Sequence, residues 1–146
     1  IPGNVHLEGT VRTYDAEVQD TVERRMREIL DGITRAGGGT FDLDYDRSTP
    51  VTINDLTLTQ RSVPSIANAV GRANVGTAAP WMAGEDFSLF ANEVPGFFYM
   101  LGTLKPGTTS GDHHSPTFRA DDSAIPVGMK SMTYLLWDYL HASETP

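Results

Sequence analysis

The chain has 146 residues and a formal net charge of −8, which suits one average domain or two small ones. Because phosphate binding needs clustered lysine and arginine, the acidic balance argues against nucleic acid or an anionic membrane as a partner. The absence of cysteine excludes disulfides and thiolate chemistry. No apolar run reaches the roughly 18 residues of a membrane span. No signal peptide is recognisable, and we expect a cytoplasmic location. The sequence begins Ile1-Pro2-Gly3, and we expect a piece of a longer protein.

The first third of the chain predicts a strand–helix–strand unit. Residues 5–14 and 40–46 alternate apolar and polar side chains, which is typical of half-buried strands. Between them, Asp15 is placed to cap a helix with one apolar face, and three glycines at 37–39 are placed to end it. Two strands and one helix bury little apolar surface, so we expect neighbouring elements from elsewhere.

The remainder predicts three helices and one buried strand. A helix over 56–70 begins after Asn54 or Asp55 and is interrupted by Pro64. A short helix follows at 85–91, and the continuous apolar run 97–101 indicates a strand buried on both faces. A last helix begins after Asp121 or Asp122. Its predicted apolar face consists of Ile125, Met129, Met132, Leu136, Tyr139 and Leu140.

Two adjacent histidines, His113 and His114, are candidate metal ligands. Pro116 favours an extended conformation of Ser115, and neighbouring side chains on an extended segment point to opposite sides. The two imidazoles therefore do not readily bind one ion together, and we expect at most one of them to face a cleft. The alternative is a pair of solvated loop histidines.

Polar residues elsewhere also allow two interpretations. Glu85 and Asp86 lie at a helix start, where acids usually cap free amides, although Glu85 can instead face a pocket. Arg12 lies on the polar side of its predicted strand, where it is either solvated or able to bind a carboxylate as a fork. No GxSxG motif is present, which argues against a serine hydrolase.

Four motifs in order carry a resemblance to a known family: GTVRTY (9–14), MAGEDFSLF (82–90), VPGFFYMLG (94–102) and HHSPTF (113–118). The chain resembles the two-metal amidohydrolases, which include hippurate hydrolases, N-acyl-amino-acid deacylases and indole-acetyl-amino-acid hydrolases, within the wider aminoacylase and carboxypeptidase group. The resemblance implies an α/β fold. Residues 1–49 would be the second half of a lid or dimerisation domain, and residues 50–146 the C-terminal part of a mixed-sheet catalytic domain.

The resemblance also implies roles for particular residues. His114 aligns with a metal ligand, and Arg12, Met82 and Glu85 align with substrate-binding positions. The implied cofactors are two divalent metal ions, zinc or manganese, and the implied partners are an N-acyl amino acid and a second copy bound through the lid. In this family the other metal ligands and the general-base glutamate lie N-terminal to these motifs. We therefore expect this chain to contain no catalytic residue and to be inactive alone. The alternative is a non-catalytic dimerisation or binding module that keeps the family fold.

Overall fold

The computed structural model describes residues 2–141, which are mainly helices and irregular segments. These residues form two compact units, one of 2–52 and 80–90 and the other of 53–79 and 91–141. None of the described helices is long and apolar enough to span a membrane. The helices are α1 (Ala16–Gly37), α2 (Leu56–Val70), α3 (Phe87–Glu93) and α4 (Ala124–His141), with a short 3-10 helix at Arg72–Asn74.

Both ends of α1 are fixed by local contacts, as the sequence predicts. The Asp15 carboxylate accepts hydrogen bonds from the amides of Glu17 (2.7 Å) and Val18 (3.1 Å), which are among the amides left free at a helix start. Gly38 follows the helix with a φ of 68°. This left-handed conformation costs glycine little and lets the Gly39 amide close the last turn. The predicted start and end of α1 are thus confirmed.

Charged side chains join the segment after α1 to the helix. The Arg47 guanidinium bonds to Asp20 at 2.5 Å and to Glu23 at 2.5 and 3.0 Å, and Arg27 donates to the Leu43 carbonyl at 3.4 Å. No residue of α1 is buried in this unit as described. Ion pairs and half-buried apolar side chains therefore hold residues 41–47 against α1.

The predicted strands at 5–14, 40–46 and 97–101 are not strands in the structure, which assigns no strand within residues 2–141. A strand is defined by a backbone ladder with a neighbour. No backbone-to-backbone hydrogen bond links 5–14 or 40–46 to another described segment. Val5 and Leu7 are 74% and 83% exposed, so the apolar side chains at the start of the first segment are not buried. The predicted mixed sheet is not found among the described residues.

The second helix has the predicted bounds but not the predicted interruption. Asp55 caps α2 by accepting from the Leu58 amide at 2.7 Å. Pro64 lies inside the helix, which continues to Val70. A proline there removes one helical hydrogen bond. The burial of residues 65–67 and 69 within the α2–α4 packing keeps the helix intact.

The packing face of α4 is not the one that the sequence predicts. All six predicted apolar residues are exposed, from 44% for Met132 to 74% for Leu140. Instead Ser131 is buried, with its hydroxyl 3.3 Å from that of Tyr99, and Gly128 lies where a Cβ would meet Leu101 at 2.9 Å. Small residues therefore let the 99–101 segment approach α4 closely. The periodicity identified an apolar stripe correctly but not the side of the helix that is packed.

Candidate functional site

The two histidines lie in a turn, so the extended segment predicted for them is wrong. The Ser115 amide donates to the Asp112 carbonyl at 3.1 Å, which closes a four-residue turn around His113 and His114. The two imidazole planes are nearly perpendicular, at 84°, with ring centroids 6.5 Å apart. The His113 ring packs edge-on against Phe118 at 5.1 Å. The two side chains therefore have different surroundings, although not for the reason that the sequence suggested.

His114 has a φ of 64°, and among residues 2–141 no other non-glycine residue has a positive φ. The left-handed conformation places Cβ close to the following carbonyl oxygen, and histidine is one of the few residues enriched there. Such conformations persist where surrounding bonds hold them, and they cluster at functional sites. This backbone outlier distinguishes His114 from His113 and makes it the stronger candidate of the pair. Its side chain is exposed.

The bonds that hold this turn belong to residues 103–121, which we call the His114 loop. At its base the Asp121 amide donates to the Thr103 carbonyl at 2.8 Å. Nearer the tip, the Gly111 amide donates to the Thr117 carbonyl at 3.1 Å. The loop is therefore an ordered structure that presents His114 at its tip.

The Glu85 carboxylate is engaged at a helix start. Its Oε1 accepts from the Phe87 amide at 3.1 Å, and α3 begins at Phe87, two residues later than the sequence predicts. The helix also ends two residues later than predicted, at Glu93. Glu85 is half-buried. The structure thus gives Glu85 the capping contact that the sequence offered as one alternative, and its role towards a substrate stays a prediction.

Met82 and Arg12 are exposed in the same unit as Glu85. Met82 is 52% exposed and follows Trp81, whose carbonyl accepts from the Ala83 amide at 2.9 Å. Among residues 2–141, Arg12 forms no ion pair with a carboxylate. His114 lies in the other unit.

The described residues do not fit a two-metal centre on their own. They contain no group of three or more histidine, aspartate or glutamate side chains arranged to hold a metal ion. His114 supplies one imidazole, whereas zinc sites in proteins usually have three or four protein ligands. Any metal held by His114 needs ligands beyond those that residues 2–141 bring together.

The sequence did not reveal the contacts of Asn54, which it offered only as a possible helix cap. The Asn54 amide donates to the Phe98 carbonyl at 2.8 Å, and its oxygen accepts from the Phe98 amide at 2.7 Å. Beside this pair, the Asp55 amide donates to the Gly96 carbonyl at 2.9 Å. The Asn54 side chain thus forms with the Phe98 backbone the two hydrogen bonds that a neighbouring strand would form. No local pattern marks a pairing between residues 44 positions apart.

Comparisons with known proteins agree with the resemblance that the motifs carry. The chain is 34% identical over 127 residues to an N-acetyl-L-cysteine deacetylase of Bacillus subtilis, covering 86% of the chain and 29% of that protein. It is 30% identical over 145 residues to an N-acetyldiaminopimelate deacetylase of Limosilactobacillus fermentum, covering 99% of the chain and 36% of that protein. The corresponding enzyme of Exiguobacterium sibiricum is 31% identical over 141 residues, covering 96% and 36%. The chain thus spans about a third of the length of these curated relatives. Residues 4–138 match the sequence pattern of a single family. The chain belongs to peptidase family M20/M25/M40.

Proposed function

We propose that the protein containing this chain is a metal-dependent amidohydrolase that cleaves the amide bond of N-acyl amino acids. The left-handed His114 turn carries the proposal, because it lies in a chain that matches the family over residues 4–138. The relatives named as deacetylases of N-acetyl-L-cysteine and N-acetyldiaminopimelate support the substrate class.

In this proposal the complete protein has an α/β fold and the chain contributes to two domains. Residues 1–49 form the second half of a lid that also joins two copies into a homodimer. Residues 50–146 form the C-terminal part of the catalytic domain. The segments 5–14, 40–46 and 97–101 become strands where neighbouring segments supply the ladder that residues 2–141 lack.

His114 is proposed to bind one of two divalent metal ions, zinc or manganese, through a neutral imidazole. Arg12, whose guanidinium has no carboxylate partner among the described residues, is proposed to hold the free carboxylate of the substrate. Met82 and Glu85 are proposed to line the substrate pocket. Because residues 2–141 bring together no further metal ligands, we propose that the chain alone is inactive.

The test compares N-acetyl amino acids with their C-terminal amides as substrates of the full-length protein loaded with zinc or manganese. The amides lack the carboxylate that Arg12 is proposed to bind. We expect hydrolysis of the acids, and we expect Arg12→Ala to raise KM for them by about 10- to 100-fold, the range of a hydrogen-bonded charge pair. Arg72→Ala is the matched control, since Arg72 is also an exposed arginine without an ion pair among the described residues.

Equal KM values for Arg12→Ala and Arg72→Ala would remove Arg12 from the site and leave the rest of the proposal standing. A full-length protein that binds no metal and hydrolyses none of these substrates would contradict the proposed function. It would favour the alternative of a non-catalytic dimerisation or binding module.

A further inference from the structure

We propose that Ser110 is a positioning residue that keeps His114 in its left-handed conformation at the tip of the His114 loop. The inference rests on the proposed function, in which the placement of the His114 imidazole matters. It concerns a residue that no motif singled out and that lies four positions before the histidine.

The loop is built from nested hydrogen bonds that converge on His114. Its base pairs Thr103 with Asp121, its neck joins Ser110 to Arg119, and Gly111 pairs with Thr117 above the neck. The turn from Asp112 to Ser115 closes the tip. Each bond in this series restricts the segment within which the next bond forms. The loss of one bond therefore weakens the bonds nearer to His114.

The Ser110 hydroxyl connects the two sides of this neck. It accepts from the Arg119 amide at 2.7 Å and donates to the Gly111 carbonyl at 2.9 Å. Ser110 is half-buried, whereas most residues of the loop are exposed. In the described structure, the neck between the base pair and the Gly111–Thr117 pair is closed by this side chain rather than by a backbone pair.

The turn packs closely against Gly111, the residue that follows Ser110. A Cβ at Gly111 would overlap the hydroxyl oxygens of Ser115 and Thr117, which themselves lie 3.3 Å apart. The turn therefore packs closely against the neck, so a displacement of Ser110 also displaces the residues that flank His114. Without the neck bonds we expect the His114 backbone to relax to the ordinary negative φ region and to carry its imidazole with it.

The experiment uses the full-length protein and four variants: Ser110→Ala, Ser110→Cys, Ser110→Thr and Thr108→Ala. Alanine removes both bonds, cysteine keeps the shape of serine with a slightly larger and weakly bonding thiol, and threonine keeps the hydroxyl. Thr108→Ala is the matched control, because the Thr108 hydroxyl bonds to the Lys105 carbonyl at 2.6 Å in the same loop but outside the neck. The readouts are kcat and KM, thermal unfolding, and the φ of His114 in crystal structures of the variants.

We expect Ser110→Ala and Ser110→Cys to lower kcat by about 10- to 100-fold, the loss that a misplacement of about 1 Å produces. KM should match that of Thr108→Ala, His114 should adopt a negative φ, and Ser110→Thr should restore kcat. The loss of two hydrogen bonds should lower the midpoint of thermal unfolding only modestly, so that the variants stay folded at the assay temperature.

An unchanged φ at His114, or a kcat for both Ser110 variants equal to that of Thr108→Ala, would overturn the positioning role. If His114→Ala still abolishes activity in that case, the proposed function stands. Full activity of His114→Ala would overturn both.

Discussion

Replacing Asn54 by alanine tests the contact that substitutes for a missing strand neighbour. Asn54 makes two hydrogen bonds with the Phe98 backbone, at 2.7 and 2.8 Å, and Phe98 is half-buried. A hydrogen bond of this kind contributes about 0.5–1.5 kcal/mol net, so the two together are worth about 1–3 kcal/mol. Asn54 itself is exposed, which lets water replace part of the loss. We therefore expect Asn54→Ala to lower the free energy of unfolding by about 1–2 kcal/mol.

Two companion variants separate the Phe98 contacts from a general effect of the substitution. Asn54→Asp keeps an acceptor for the Phe98 amide but faces the Phe98 carbonyl with a second acceptor, so we expect it to restore little of the stability. Asn68→Ala is the matched control. Asn68 is exposed on α2, where alanine is a better helix former, and we expect no loss there.

The assay is urea unfolding of the full-length protein, combined with amide hydrogen exchange at Phe98. Asn54→Ala should lower the unfolding midpoint and speed exchange of the Phe98 amide, because that amide then lacks its 2.7 Å acceptor. A loss below about 0.5 kcal/mol, within the range of ordinary surface substitutions, would contradict the stabilising role of Asn54. So would unchanged exchange at Phe98.

Three further predictions follow from the same structure. Asp15→Ala removes the cap of α1 and should cost about 1 kcal/mol in urea unfolding, whereas an unchanged midpoint would show that the cap is dispensable. Hydrogen bonds from Arg27 and Arg47 hold the pKa of Glu23 below its ordinary value. This contribution to stability is fully present above the pKa of a glutamate in the unfolded chain and is lost as the pH falls through the lower pKa of the folded state. The midpoint temperature of unfolding should therefore fall less steeply from neutral to acid pH for Glu23→Gln than for the parent protein. Parallel curves of midpoint against pH would contradict this. Gly111→Ala should lower the activity of the full-length protein, because a Cβ there would displace the Ser115 and Thr117 hydroxyl groups and crowd the Thr117 backbone, whereas Gly102→Ala has open space and serves as its control. Equal activity of the two glycine variants would mean that the loop opens freely.

Helix ends could be predicted from the sequence because the contacts that fix them are local. Asp15 and Asp55 each bond to amides within three residues, and Gly38 turns the chain immediately after α1. These interactions depend on residue type and spacing alone. The bounds of α2 were therefore predicted even though the effect of Pro64 was not.

Features that depend on distant residues could not be predicted in the same way. The alternating pattern of 5–14 shows which side chains share a face but not whether a neighbouring strand is present. The apolar period of α4 does not show that the 99–101 segment packs on the small residues Gly128 and Ser131.

The candidate site also combines features that the sequence predicts with features that depend on distant residues. Motif order identified His114, Arg12, Met82 and Glu85, whereas the turn that distinguishes His114 from His113 arises from bonds across the His114 loop. Their proposed roles towards metal and substrate remain predictions.

The proposed role of His114 as a metal ligand is tested most directly by the hydrolysis of N-acetyl amino acids. The full-length protein is assayed with either His114→Ala or His113→Ala. The two residues are adjacent and both exposed, and of the two only His114 has the left-handed backbone. We expect His114→Ala to abolish hydrolysis and His113→Ala to retain most of it. Equal loss in the two variants, or full activity without His114, would contradict the central assignment.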